Sequence, residues 1–524
     1  MRAGVSAIIA GMLLLLQALG SVSRSVYATS DSDQVVLDEN AAGRSGVVGS
    51  DGEQAVGAGG HTIPFEDNDE FLGFEAELVH LQAFPEHQLR ITNTRSTLCD
   101  TSVKQHSGYL DISDGRHLFF WFFESRHDPQ DAPLMLWLNG GPGCSSIASG
   151  LLFENGPCFV AEGGNSTVRN AHSWNEAVNI IYLDEPVGTG YSYASDGSKV
   201  DTLADLTIDV YAFLVMFLEK WPQYATAPFH LAAESWGGHY GPHIASYIHE
   251  KNQEFIYYPR EDAFYINLAS LIIANGLTEP WSQFESIPEY KCGGAPYPFL
   301  EPNSLECRTM RANRPLCLSL ISACYRFQTQ ASCAAATTHC WPTMMIGGIN
   351  DDTNPYDIRV RCDEGAKICY PEIDDAETWM NSTAVKKALG AGVDRNFQAC
   401  NMDVNFAFYQ RGQALTNSAA LLPKLLHGGV RLLVYAGNTD AVCNYQGVEL
   451  WMTRLSNAFH TEFLTTVSVP WRTLRSNYLA GQVRSAGGAV KGAGNYTFVQ
   501  IYDAGHMAPH DQPEATLVSI FVST

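Results

Sequence analysis

Three residues far apart in the chain have the types and the order that nucleophilic catalysis needs. The segment Phe229-His-Leu-Ala-Ala-Glu-Ser-Trp-Gly-Gly238 is an apolar run entering a turn of small residues, with Ser235 at its centre and a helix expected from near His239. This pattern is similar to a nucleophile elbow, where small flanking residues let the chain turn sharply and present a serine hydroxyl at the end of a strand. Ala233 stands where that pattern has glycine and adds a methyl group on the crowded side of the turn; an ordinary strand-to-helix turn is the alternative. A serine hydroxyl is a weak nucleophile, so it needs a base and an orienting carboxylate. In this architecture they follow in the order Ser, Asp, His. Val434-Tyr-Ala-Gly-Asn-Thr-Asp440 puts an acid just past one apolar run, and Val499-Gln-Ile-Tyr-Asp-Ala-Gly-His506 puts a histidine after the last one. Taken singly, Asp440 reads equally as a helix N-cap and His506 as a surface histidine. Taken together, with order and placement right, Ser235, Asp440 and His506 are the expected triad.

These residues need strands to carry them. Leu118 to Phe123 is a dense aromatic run, and Pro133 to Leu138 is a short apolar segment ending in Asn139-Gly-Gly-Pro-Gly143; both read as buried strands. Apolar runs recur at Val178 to Leu183, Phe229 to Ala232, Leu271 to Ala274, Val430 to Tyr435 and Tyr496 to Tyr502, with helical periodicity over Leu203 to Glu219. Strands alternating with helices predict a largely parallel sheet in an α/β protein. From about Trp281 to Asn401 the rhythm breaks and cysteines concentrate, which predicts an insertion into one core. Within it Cys317, Cys324, Cys333 and Cys340 have a symmetric spacing that suits nested bridges on a helical hairpin, although spacing does not fix connectivity and free buried thiols remain the alternative.

The 524 residues carry 32 Lys+Arg against 56 Asp+Glu, a net charge of −24, which disfavours nucleic acid and anionic lipid as partners. Acidic balance suits an acidic compartment, and it equally serves solubility. At the N-terminus, Arg2, an apolar run from Val5 to Leu16 and small residues near Gly20 or Ala28 read as a secretory signal. Thr29 to about Gly60 is rich in Ser, Gly, Ala and Asp and reads as linker or propeptide. Thirteen cysteines in a secretory context predict disulfides, and the lack of a C-x-x-C pair disfavours zinc, so neither metal nor cofactor is expected. Sequons at Asn165, Asn381 and Asn495 are candidate glycosylation sites.

Seven motifs in register carry a family resemblance: Trp137-Leu-Asn-Gly-Gly-Pro-Gly-Cys-Ser-Ser146, Phe153-Glu-Asn-Gly-Pro157, Asp184-Glu-Pro-Val-Gly-Thr-Gly-Tyr-Ser192, Glu234-Ser-Trp-Gly-Gly-His-Tyr240, Asn275-Gly-Leu277, Asp440-Ala-Val-Cys-Asn444 and Gly505-His-Met507. From about Gly108 to the C-terminus the chain resembles the serine carboxypeptidase family. It departs from the family at Ala233, at Trp236 for Tyr, at Ala508 for Val, and in a long N-terminal extension. The resemblance implies an α/β-hydrolase fold, with a mostly parallel central sheet flanked by helices and an inserted disulfide-rich helical lid. The implied organisation is a signal peptide over 1–28, a propeptide or disordered extension over 29–100, a core over 101–280 and 402–524, and a lid over 281–401.

The resemblance also implies roles. Ser235, Asp440 and His506 become nucleophile, orienting acid and base, and the backbone N–H groups of Gly141 and Trp236 the oxyanion hole. Asn139, Gly140, Glu154 and Glu234 hold the substrate's terminal carboxylate; read without the resemblance, Glu154 is a surface residue and Glu234 a structural acid. Trp236, Tyr356, Tyr370 and Met507 match specificity-pocket positions and read equally as core packing. The implied disulfides are Cys144–Cys400, Cys292–Cys307, Cys317–Cys340, Cys324–Cys333 and Cys362–Cys369. Cys443 matches a free thiol near the site, which leaves Cys99 and Cys158 for a possible sixth bridge. The implied activity is removal of single C-terminal residues from peptides and proteins at acidic pH, in a lysosome- or vacuole-like compartment or after secretion. Acyl transfer on the same fold and a protective binding role are the alternatives, and a homodimeric state stays open.

Overall fold

The computed structural model describes residues 76–517, except 93–97, 113–114, 259–263, 351 and 489–494. The expected signal segment and most of the expected extension lie outside the described residues. In chain order the first strands are β1 (Ala76–His80), β2 (His87–Thr92), β3 (Gln105–Ile112), β4 (Arg116–Phe123), β5 (Leu134–Leu138), β6 (Cys158–Ala161), β7 (Ser166–Arg169), β8 (Asn179–Leu183) and β9 (Tyr193–Ala194). They are followed by β10 (Phe229–Glu234), β11 (Leu268–Ala274), β12 (Arg431–Gly437), β13 (Val469–Arg472), β14 (Leu479–Ala486) and β15 (Tyr496–Ile501). The main sheet runs β1-β2-β3-β4-β8-β5-β10-β11-β12-β15-β14-β13, with β9 paired to β4.

The sheet is mixed. From β8 to β15 every neighbour is parallel, whereas β1 to β4 and the β13-β14 pair add antiparallel wings on either side. Expecting a mostly parallel sheet therefore describes the centre, where the site lies, and not the wings. β1 and β2 fall inside the stretch expected as a propeptide or disordered extension. Their residues are mostly half-buried, so they lack the dense apolar run that marks a central strand.

The parallel strands are buried on both faces, which explains their continuous apolar runs. In β4 the side chains alternate between two cores: Leu118, Phe120 and Phe122 enter one, and Phe119, Trp121 and Phe123 the other. The helix α1 (Leu203–Lys220) covers the first core. Thr202 caps it by accepting from the Asp205 amide at 3.2 Å, and it lays Phe213 and Phe217 against Phe120 at ring separations of 5.2 and 6.2 Å. The long helix α2 (Gly237–Tyr257) leaves directly from the end of β10.

The insertion is helical. It comprises α3 (Pro280–Glu289), the hairpin of α4 (Leu305–Phe327) and α5 (Gln330–Cys340), then α6 (Pro371–Met380) and α7 (Thr383–Leu389). Another helix, α8 (Met402–Gln410), brings the chain back to the core. The bridges Cys317–Cys340 and Cys324–Cys333 nest on the α4/α5 hairpin, and Cys292–Cys307 ties its base. Cys362–Cys369, Cys144–Cys400 and Cys99–Cys158 complete six bridges, while Cys443 is a buried free thiol. Lys291, fully buried at the hairpin base, donates to the carbonyls of Met344, Met345 and Gly347. It thereby satisfies backbone acceptors that the interior shields from water.

Alkylation without reductant tests this pairing. The native protein is expected to take up no label; after denaturation one thiol should react, and peptide mapping should place it at Cys443.

Candidate active site

Ser235 follows the last residue of β10 and adopts φ +61°, a left-handed conformation rare outside glycine, before α2 begins at Gly237. Its amide donates to the Ala274 carbonyl at 2.9 Å, which ties the turn to the end of β11. The extra methyl of Ala233 has a specific home. It packs where Gly237 and Gly241 leave room on α2, and a Cβ on Gly237 would come within 2.9 Å of it. The helix glycines therefore accommodate the departure from the usual elbow. A second chain segment approaches from the other side: a methyl on Gly140 would collide with Trp236 N, the Glu234 carbonyl and Ser235 Cβ. That close approach places the Gly140–Gly141 peptide beside the serine.

Asp440 and His506 follow β12 and β15, the next strands but one and two along the sheet from β10. His506 Nδ1 lies 2.7 Å from Asp440 Oδ2, with both residues buried. The carboxylate is fully engaged. Asn275 Nδ2 donates to the same Oδ2 at 2.9 Å, and the amides of Val442 and Cys443 donate to Oδ1 at 2.7 and 3.2 Å. Asn275 was not among the expected site residues. It sits at φ +42° just past β11, with its Oδ1 accepting from the Gly437 amide. An Asn-Gly pair at a strand end is the signal that marks it, because Asn tolerates the left-handed region and carries both a donor and an acceptor. Cys443 Sγ lies within 4.8 Å of the Asp440 and His506 ligand atoms, and burial with Asp440 and Glu234 nearby pushes its thiol well above the ordinary range.

Asn139, Glu154 and Glu234 meet in a buried cluster. Asn139 Nδ2 donates to Glu154 Oε1 at 2.8 Å and to Glu234 Oε1 at 3.0 Å. Its Oδ1 accepts from Trp137 Nε1 at 2.7 Å, which fixes the amide's orientation. Glu154 ends a buried π-helix, Ser146–Glu154, so it is no surface residue. Glu234 is the residue before Ser235. Burial, together with the Glu154 carboxyl within hydrogen-bonding reach, pushes the Glu234 pKa well above the carboxylate range. The remaining oxygen of each carboxyl, Glu154 Oε2 and Glu234 Oε2, has no hydrogen-bond partner among the described residues.

Tyr356 packs 5.4 Å from the His506 ring and 6.5 Å from Tyr370, while Met507 is buried next to His506. Phe153 adds to this wall, 5.3 Å from Tyr370 and stacked at 4.0 Å on His510. A cavity of about 560 Å³ opens beside Tyr370 and His510, bounded also by Asn354, Arg359 and Asp511. Trp236 faces the other way, against Phe408 of α8 and Tyr240. Of the sequons, Asn165 is exposed. Asn381 differs: its amide nitrogen already donates to the Glu377 and Phe397 carbonyls at 2.9 and 2.8 Å, so a glycan there would have to replace a hydrogen in use.

A serine on a strand-to-helix turn, with an acid–histidine pair following later strands of the same parallel sheet, is the arrangement of the α/β-hydrolase fold. Among solved structures, the yeast prohormone-processing carboxypeptidase Kex1 of Saccharomyces cerevisiae superposes with a TM-score of 0.67 at 23% identity, covering 85% of this chain and 95% of that one. The family model described as serine carboxypeptidase matches residues 96–523. Carboxypeptidase Y of Candida albicans is 40% identical over 83% of this chain and 75% of its own, and carboxypeptidase Y homolog A of Ajellomyces capsulatus 40% over 80% and 73%. Carboxypeptidase Y of Schizosaccharomyces pombe is 38% identical over 84% of this chain, which spans only 43% of that protein's length. The chain belongs to the serine carboxypeptidase family. It is accordingly a serine-type carboxypeptidase.

Asn275→Ala removes a donor from Asp440 Oδ2 and puts a β-carbon without a compensating side-chain bond at positive φ. Denaturant unfolding is expected to show a loss of about 1–3 kcal/mol. Asn275→Asp should lose more above the carboxylate range, since it sets like charge against Asp440.

Proposed function

We propose that Ser235 is the nucleophile, His506 the general base and Asp440 the carboxylate that orients it, in hydrolysis of the last peptide bond of a substrate through an acyl-enzyme. His506 Nδ1 is committed to Asp440, which leaves Nε2 to take the proton from Ser235 Oγ as it attacks the carbonyl carbon. The oxygen becomes negatively charged, and the N–H groups of Gly141 and Trp236 stabilise it. His506 then returns the proton to the leaving amine, and water repeats the sequence to release the acyl group.

The observation that carries the exopeptidase reading is the buried pair Glu154 and Glu234, bridged by one Asn139 amide. Two buried carboxyls this close do not both ionise, so one keeps a proton and donates it to a carboxylate ligand. Since Glu234 adjoins Ser235 in the chain, a carboxylate held there lies about one residue from the nucleophile, which selects the terminal bond. Asn139 and Gly140 complete the cradle, and Tyr356, Tyr370 and Met507 border the leaving residue. The signal-like N-terminus and the disulfides support passage through the secretory pathway, and the retained proton on Glu234 supports work in an acidic lysosome- or vacuole-like compartment or after secretion. No helix among the described residues is long and apolar enough to cross a membrane.

Ser235→Ala is expected to fold normally, to lose labelling by a fluorophosphonate and to lose peptidase activity by roughly 10⁴ to 10⁶; wild-type labelling would reject Ser235 as nucleophile. The pH profile tests the carboxyl pair. As pH rises through the elevated Glu234 pKa the shared proton leaves, the site turns doubly negative, and KM for peptides with a free C-terminus should climb. The double variant Glu154→Gln with Glu234→Gln is expected to be weaker than wild type at acidic pH and to decline less above it, because an amide donates at every pH. A profile superimposable on wild type would remove the carboxylate-binding role.

A further inference from the structure

We propose that Asn405, on α8, is a positioning residue for the oxyanion hole: it holds the Gly141 peptide in place against Ser235. This rests on reading the Gly141 and Trp236 amides as the donors to the developing oxyanion.

The loop that carries Gly141 needs outside support. Gly141 adopts φ +107° and Gly143 φ +91° in a loop that belongs to no helix or strand, and its own backbone bond is that of the Cys144 amide to the Gly140 carbonyl at 3.1 Å, which leaves the Gly141 carbonyl to an outside donor. Asn405 Nδ2 supplies that support, donating to the Gly141 carbonyl at 2.8 Å and to the Pro142 carbonyl at 3.3 Å. The Gly141 carbonyl lies in the peptide plane that follows the one bearing the Gly141 N–H, so Asn405 holds the far side of the Gly141 Cα and limits how far the plane that faces Ser235 can turn about it. The rest of α8 and its lead-in anchor the helix to the same loop. Cys400 is bridged to Cys144, and the Asn401 amide donates to the Gly143 carbonyl at 2.8 Å. Asn401 Nδ2 donates to the Gly188 carbonyl at 2.8 Å, and Val404 packs where a side chain on Gly143 would stand. One turn further on, Phe408 packs edge-on against Trp236 at 5.2 Å. A single helix and its N-cap therefore brace both residues whose amides face the oxyanion, and Asn405 is the side chain that bonds the Gly141 carbonyl.

A merely structural asparagine would stabilise the fold without distinguishing ground state from transition state. A positioning residue predicts a different signature, because the oxyanion exists only after attack. The test uses the full-length enzyme and two probes: a peptide boronic acid, which forms a tetrahedral adduct with Ser235, and the matched peptide alcohol, which cannot. Asn405→Ala is expected to lower kcat by roughly 10- to 100-fold with KM within twofold of wild type. Affinity for the boronic acid should fall in parallel while affinity for the alcohol stays unchanged. Asn405→Asp adds a pH readout. With its carboxyl protonated it still donates to Gly141 and should approach wild-type kcat at acidic pH; once ionised it sets a negative charge against two carbonyls, and kcat should drop below that of Asn405→Ala. Unchanged kcat and boronic acid affinity in Asn405→Ala would overturn the proposal, as would equal losses for both probes or an Asn405→Asp profile parallel to that of Asn405→Ala. A wild-type enzyme that binds the boronic acid no better than the alcohol would instead reject the oxyanion reading itself.

Discussion

The structure depends on one close approach, that of the 139–143 loop to the turn at Ser235. No side chain fits at residue 140, since a single methyl group would strike three atoms of the opposing turn. Everything at the site is organised around keeping the two backbones this near. Ser235 accepts a left-handed conformation, which costs on the order of 1–3 kcal/mol, and the turn is held by the Ala274 carbonyl on one side. Ala233 carries a methyl where none is usual, and the helix yields space at Gly237 and Gly241. The proposed oxyanion hole needs this absence of side chain, since it is built from backbone amides on both segments.

The same proximity brings acids together in a place without water. Asp440 past β12, Glu234 at the end of β10 and Glu154 at the end of the π-helix are all buried, and their partners differ. Asp440 accepts hydrogen bonds from Asn275, from two backbone amides and from His506. Glu234 has one amide donor and a neighbouring carboxyl, and burial beside that carboxyl raises its pKa well above the carboxylate range. The two chemistries proposed for these carboxyls, orientation of a base and capture of a carboxylate, go with how many donors each side chain meets.

The inserted helices matter for more than cover. Their disulfides brace the α4/α5 hairpin, but the contact with most consequence for the site is at the far end of the insertion, where Cys400 and α8 return to the loop beside Ser235. Bridging Cys144 to Cys400 joins residues separated by 256 positions, and it does so next to the oxyanion loop. A helix reached through the insertion in this way contacts the loop that approaches Ser235.

Much of the core was legible in the amino-acid sequence because parallel strands buried on both faces must be continuous apolar runs. β4, β5, β8, β10, β11, β12 and β15 all announce themselves in this way, as does the order Ser235, Asp440, His506 at their ends. The edge strands β1 and β2 were not legible, because half-buried residues carry no such run. Nor did composition or spacing distinguish Glu154 from a surface acid; resemblance supplied its role, and burial at the end of a π-helix shows where it lies. Asn275 stood in one of the resemblance motifs without a role and Asn405 stood in none, because the type and neighbours of an asparagine do not say what its amide will meet. What each amide does is decided by the partner that folding delivers to it, a carboxylate 165 positions away for Asn275 and a carbonyl 264 positions away for Asn405. Local chemistry and periodicity belong to the sequence, whereas the pairing of remote donors and acceptors belongs to the tertiary structure, because only close packing of distant segments brings them within hydrogen-bonding distance.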